Sequence, residues 1–144
     1  MVQSIRGAVT YQAVYFRDSS GREPVKAFID TLDPNCQDEI DWCISLLDGL
    51  SDANPELPFP YSSAVKGDQY RGIRELRASC GRAAYRILFR RSGRFFVLLH
   101  AFEKRTREIP GRDAETARDR WRDFQRRMDA NPRSDPRAIG QDAP

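Results

Sequence analysis

Apolar positions in this chain follow two different periods, and the switches between them mark the elements. Residues 10–17, Thr-Tyr-Gln-Ala-Val-Tyr-Phe-Arg, are dense in aromatic and β-favouring side chains and predict a first strand. Asp18-Ser19-Ser20-Gly21 ends it. Val25, Phe28, Ile29 and Leu32 then fall on one face of a short helix over 23–32, with Pro24 tolerated in its first turn. Asp33-Pro34 starts a second helix as N-cap plus first helical position. Along it Cys36, Ile40, Cys43, Ile44, Leu47 and Leu50 recur at helical spacing. Two helices about one turn apart predict a helical hairpin. Residues 51–67 contain Pro55, Pro58 and Pro60 and read as a loop, with Phe59 and Tyr61 as its anchors to the body.

Three strands follow, over 72–78, 82–90 and 94–102, separated by the short turns Ser79-Cys80-Gly81 and Arg91-Ser92-Gly93. Such spacing predicts an antiparallel meander. The third strand is apolar on both faces through Phe95, Phe96, Val97, Leu98 and Leu99, so it should be covered on both sides. After Pro110-Gly111, Ala114, Ala117, Trp121, Phe124 and Met128 form one seam of a last helix over 113–128. Residues 131–144 carry Pro132, Pro136 and Pro144 with little apolar content and are expected to be a disordered tail. The expected fold class is α+β: a strand, a two-helix hairpin, a three-stranded meander making an antiparallel sheet, and a C-terminal helix. One domain over residues 1–130 accounts for it.

Composition adds limits. An apolar share of 40% in 144 residues suffices for one core. No apolar run reaches the roughly 18 residues of a membrane span, and the first residues lack the apolar core of a signal peptide. A cytoplasmic location without membrane contact is the expectation. The three cysteines, Cys36, Cys43 and Cys80, are odd in number, which argues against a disulfide framework. Cys36 and Cys43 read as core packing. With a single histidine, no metal site is expected.

Charge is uneven. Residues 1–66 hold 5 basic and 10 acidic side chains, residues 67–127 hold 17 and 8, and the remainder 2 and 3, which together give the net +3. The middle block is the electrostatic footprint, and it suits phosphate. Alternation sets Arg82, Arg86 and Arg90 on one face of the second meander strand, opposite Tyr85, Ile87 and Phe89. Glu75 and Arg77 share a face of the neighbouring strand, while Arg74 lies with Leu76. Glu75 reads as one half of a cross-strand ion pair; Arg77 either joins a cleft or is solvated. His100 has the parity of Phe96, Leu98 and Phe102 and reads as a satisfied, largely buried histidine, and Tyr85 as core. No acidic pair at metal spacing lies near the basic block, no Gly-rich phosphate loop is present, and Ser79, Cys80 and His100 form no nucleophile set. No cofactor is expected.

The landmarks Glu23-Pro24-Val25 with Phe28-Ile29, Arg74-Glu75-Leu76-Arg77, Tyr85-Arg86-Ile87-Leu88 and the block from Leu98 to Thr106 (Leu-Leu-His-Ala-Phe-Glu-Lys-Arg-Thr) resemble RelE/ParE-superfamily toxins of type II toxin–antitoxin systems, most closely their HigB-like, phage-associated branch. The resemblance spans about residues 8–128. The last block matches that branch's Leu-His-(small)-Phe-X-Lys-Lys-Thr pattern, with Arg105 in place of the second Lys. It implies a RelE-like fold and a small endoribonuclease, an mRNA interferase acting usually at the ribosome. The substrate's own 2′-hydroxyl attacks the adjacent phosphate, without a metal. It also implies a helix-turn-helix antitoxin as partner, beside mRNA and ribosome. The superfamily further contains ParE-like gyrase inhibitors that cut nothing, and a non-toxic nucleic-acid- or partner-binding module is a third reading.

Self-cleavage of RNA requires a base for the 2′-hydroxyl, charge to hold the phosphorane, and a proton for the leaving oxygen. The family's arginine in the second meander strand aligns with Arg86, so Arg86 is a catalytic candidate. Lys104 is the other: cationic neighbours Arg105, Arg107 and Arg86 would lower its pKa toward proton exchange, or it positions phosphate by charge alone. Arg77, Arg82, Arg90, Arg105 and Arg107 are the RNA- and phosphate-binding candidates. The acidic helical hairpin offers a second docking surface or a merely solvated face.

Overall fold

A computed structural model describes residues 10–130. In chain order it forms β1 (Gln12–Tyr15), α1 (Pro24–Asp30), α2 (Pro34–Ser45), a 3-10 turn (Leu46–Gly49), β2 (Ser62–Ala64), a second 3-10 turn (Asp68–Tyr70), β3 (Arg74–Cys80), β4 (Ala83–Ser92), β5 (Phe95–Glu103) and α3 (Gly111–Ala130). The α+β class and the C-terminal helix are as the sequence predicts, and the architecture is compatible with a RelE-like fold. The tail expected over 131–144 lies outside the described residues.

The sheet has five strands in the order β1-β5-β4-β3-β2. The meander β3-β4-β5 is antiparallel, with Arg77 opposite Arg86 and Arg86 opposite Phe102. Two features depart from the expected sheet. β1 joins parallel to β5, so the sheet is mixed. Within the segment expected to be a loop, Ser62–Ala64 pairs antiparallel with β3 as an edge strand. A three-residue strand following three prolines carries too little alternation to be seen in sequence.

The sheet is the middle of three layers. On one face α1 and α2 pack Val25, Ile29, Ile40 and Cys43 against Leu76, Ile87, Phe89, Phe96 and Leu98. On the other, α3 packs Ala114, Ala117, Trp121 and Phe124 against Val14, Leu88, Val97 and Leu99. The 3.6-residue seam of α3 meets the sheet, as its spacing requires. Interior β5 buries both its faces, which explains its unbroken apolar run. Each fully buried Leu or Val there contributes roughly 1.5–3 kcal/mol.

A bulge interrupts the β4–β5 ladder: Leu88 pairs with His100 and Phe89 with Leu98, leaving Leu99 as the extra residue. One inserted residue reverses the facing of everything after it. His100 therefore lies on the α3 side with Phe102, not on the face of Phe96 and Leu98 where uninterrupted alternation would put it.

Cys36 on α2 and Cys80 at the end of β3 form a disulfide. This corrects the expectation drawn from the odd cysteine count: two of the three pair across layers, and buried Cys43 is the one left over. Cys43 is core, as its position on the helix implies. Among the described residues no helix is long and apolar enough to cross a membrane.

Candidate nucleic-acid interface

A cleft of about 500 Å³ opens on the α3 side of the sheet, where the β2–β3 edge meets the first turn of α3. Arg77 from β3, Lys104 just beyond β5, Arg107 from the β5–α3 connection and Lys66 after β2 all line it. Four cationic side chains thus converge from three chain segments, Lys104 and Arg107 sharing the β5–α3 connection. Gly111 and Ala114 place the α3 N-terminus at its wall, adding the positive end of a helix dipole.

Alternation on β3 sets Glu75 and Arg77 toward this cleft while Leu76 faces the helical hairpin. Glu75 is buried and accepts from both Arg86 Nε at 3.1 Å and Arg77 NH1 at 3.3 Å. The ion pair expected for Glu75 is present, and it is diagonal: Glu75 stands opposite Leu88, two residues from Arg86. Arg86 is itself buried at 8% exposure, and its NH1 donates to the Tyr85 carbonyl at 3.0 Å. It lies beneath the cleft rather than in its lining.

Lys104 is fixed by its backbone, whose N–H donates to the Ala84 carbonyl at 2.7 Å. Partial burial pushes its pKa down, the positive charges of Arg86 and Arg77 push it further, and Glu75 and Glu108 oppose them. Arg86 is likewise shifted down, first by burial and then by Arg77. The charge of Arg86 therefore reaches Lys104 from the same side of the sheet. The bulge at Leu99 makes this possible, because unbroken alternation from Phe96 would have set residue 104 on the opposite face.

The remaining sequence candidates lie elsewhere. Arg90 stacks over the Trp121 ring at 4.6 Å and donates to the Arg71 carbonyl at 3.0 Å. Its guanidinium passes Gly72, where the backbone has φ +91° and a Cβ would come within 2.7 Å of Arg90, so a side chain there would be strained and would push the Arg90 guanidinium aside. Arg90 is a packing residue of the α3 layer. Arg82 is exposed in the β3–β4 turn, and Arg105 is exposed and paired with Glu103 at 3.2 Å; neither lines the cleft. His100 is partnered as expected, by Asp113 at 2.7 Å and Arg120 at 3.2 Å. Tyr85 is core.

Lys66 and Phe59 belong to the cleft and were not legible as site residues. Phe59 and Tyr61 are exposed, at 71% and 43%, so neither ring anchors the proline loop. Backbone bonds hold it instead: Arg77 N–H donates to the Tyr61 carbonyl at 2.9 Å, and Tyr61 N–H to the Pro58 carbonyl at 3.0 Å. The signal that could have found Phe59 is an exposed aromatic beside three prolines in an otherwise polar loop.

Among the described residues no group of three or more His, Cys, Asp and Glu is arranged to hold a metal ion. What converges in the cleft is four cations beside Glu75 and Glu108, with Lys104 pushed down in pKa by burial and its cationic neighbours, and an aromatic ring, a set suited to a phosphodiester.

The chain belongs to the phage-derived Gp49-like protein family (DUF891), whose model matches residues 27–122. The family is RelE- and toxin-like, and its members are often the toxins of toxin–antitoxin systems. That context points to an antitoxin partner. No curated protein matches the chain.

Proposed function

We propose that this protein is the HigB-like toxin of a type II toxin–antitoxin system and an endoribonuclease that cuts messenger RNA on the ribosome. In this reading Arg77 and Arg107 clamp the scissile phosphate. Lys104, in its neutral form, takes the proton of the 2′-hydroxyl, whose oxygen then attacks the adjacent phosphorus. The bond to the 5′-oxygen breaks, leaving a 2′,3′-cyclic phosphate and, once protonated, a 5′-hydroxyl end. Arg86 acts from beneath as a positioning residue: its charge depresses the Lys104 pKa and its bond fixes Glu75, which in turn orients Arg77.

The observation that carries this reading is the placement of Lys104, partly buried among cations in the same cleft as Arg77 and Arg107. A lysine whose charged form is disfavoured can exchange protons nearer neutrality than a free one. Preorganised cations supply the transition-state charge stabilisation that is usually the largest contribution. The helix-turn-helix antitoxin would neutralise the protein by covering the cleft, and the cytoplasm is the matching location.

Brief induction in a host lacking the antitoxin tests this. New 5′ ends inside translated frames, appearing with the wild type and absent with Lys104→Ala, are expected. Intact messages with arrested DNA replication would instead identify a gyrase inhibitor. No growth arrest would leave a non-toxic binding module.

A further inference from the structure

The cleft carries one feature that charge and proton transfer do not use. Phe59 is the most exposed large hydrophobic side chain of the described residues, at 71%, yet it lines the cationic cleft. The Arg77 guanidinium sits over one face of its ring, 5.1 Å from the centroid. The loop that presents it is tied to β3 and β2 by the Arg77-to-Tyr61 bond, the Pro58 carbonyl contacts and the Ser62 pairing. The ring is therefore backed by a cation and held by backbone, with the rest of its surface in solvent.

We propose that Phe59 is a nucleobase-stacking platform, and that it receives an unpaired base of the RNA next to the phosphate held by Arg77. This rests on the reading of the cleft as an RNA site and adds to it a residue that selects for single-stranded, base-bearing substrate. An aromatic face accepts any base by stacking, and a guanidinium on its far side strengthens the sandwich. Arg77 then serves two groups at once: its guanidinium lies over the ring with one N–H on Glu75, and its remaining N–H donors are the ones offered to phosphate. Phe59 is exposed and on a loop, so its replacement leaves the core intact.

The probe is a short, labelled single-stranded RNA with 2′-O-methyl groups throughout, which cannot cleave itself, together with a series bearing one abasic position at each site in turn. Affinity is measured for the full chain. Phe59→Ala should weaken binding roughly tenfold or more. It should also erase the penalty that the wild type shows at one abasic position. Phe59→Trp should retain both affinity and penalty. Phe59→Leu, which keeps an apolar cover on Arg77 but has no π face, should behave like Phe59→Ala. Wild-type affinity in Phe59→Leu, an abasic penalty unchanged in Phe59→Ala, or no RNA binding by the wild type would each overturn the proposal.

Cleavage of unmodified message is scored separately. Residue-59-dependent binding without cleavage would reject the nuclease reading and leave the platform standing. Normal cleavage with binding indifferent to residue 59 would do the reverse.

Discussion

Glu75, in the lining of the cleft, and Arg86, beneath it, are buried at 6% and 8% exposure and hold each other across β3 and β4 at 3.1 Å, where they help to order the cations of the cleft. Removing one partner of a buried pair leaves a bare charge. Glu75→Ala should therefore destabilise the fold by about 3–5 kcal/mol in urea titrations. Replacing both, as Glu75→Leu with Arg86→Met, should recover most of that loss. The double variant should nonetheless cleave poorly, because Arg77 loses its acceptor and Lys104 loses a neighbouring charge. Stability and cleavage falling together and never separating would show that the pair serves folding alone.

Lys104 should behave in the opposite sense. Its folded-state pKa lies below the ordinary 10.5, with burial and Arg86 as the main causes, so its protonated form is disfavoured by the fold. That penalty is fully present below the depressed value and fades as pH rises toward 10.5. Lys104→Met should thus raise the melting temperature at neutral pH, with the gain shrinking in alkali, while cleavage is lost. Lys104→Arg should bind RNA and fail to cut it, since a guanidinium does not deprotonate. As a base, Lys104 should make the cleavage rate climb with pH through its depressed pKa.

The Cys36–Cys80 disulfide closes a sequence separation of 44 residues and ties α2 to the strand bearing Glu75 and Arg77. Chain-entropy reasoning puts its contribution at roughly 4 kcal/mol. Thiol labelling of the unfolded chain should modify Cys43 alone before reduction, and all 3 cysteines after it. Denaturation with and without reductant measures the stability difference.

His100 is half-buried between Asp113 and Arg120 and stacked on Phe102, 5.5 Å between ring centroids. Burial first, and Arg120 in addition, push its pKa below 6.5 against the opposing pull of Asp113. The unfolded chain then binds the proton more readily than the folded one. Stability should fall as pH drops through about 6.5 toward the depressed value. His100→Gln should flatten that part of the pH profile, read by melting temperature.

The elements with strong periodicity were legible: the α3 seam from Ala114 to Phe124, the doubly apolar β5, and the two proline-started helices. The basic block and Glu75 as an ion-pair member could also be read, because alternation along β3 is unbroken. What escaped shares a cause. The bulge at Leu99 is a register event between two strands, invisible in either alone, and it alone puts Lys104 on the side of Arg86. Arg90 looks equivalent to Arg86 along β4, and only the arrival of Trp121 from a distant helix separates them. The disulfide joins cysteines from elements that composition cannot bring together. Phe59 and Lys66 come from the segment with the weakest pattern, next to an edge strand too short to register.

The self-cleavage chemistry has one direct test. A translated message should be prepared with a single 2′-deoxynucleotide at a mapped cut and supplied to purified protein and ribosomes. The unmodified message should be cut to a 5′-hydroxyl end and the substituted one should stay whole at that position. Equal cutting of both, or 5′-phosphate ends, would contradict attack by the 2′-hydroxyl.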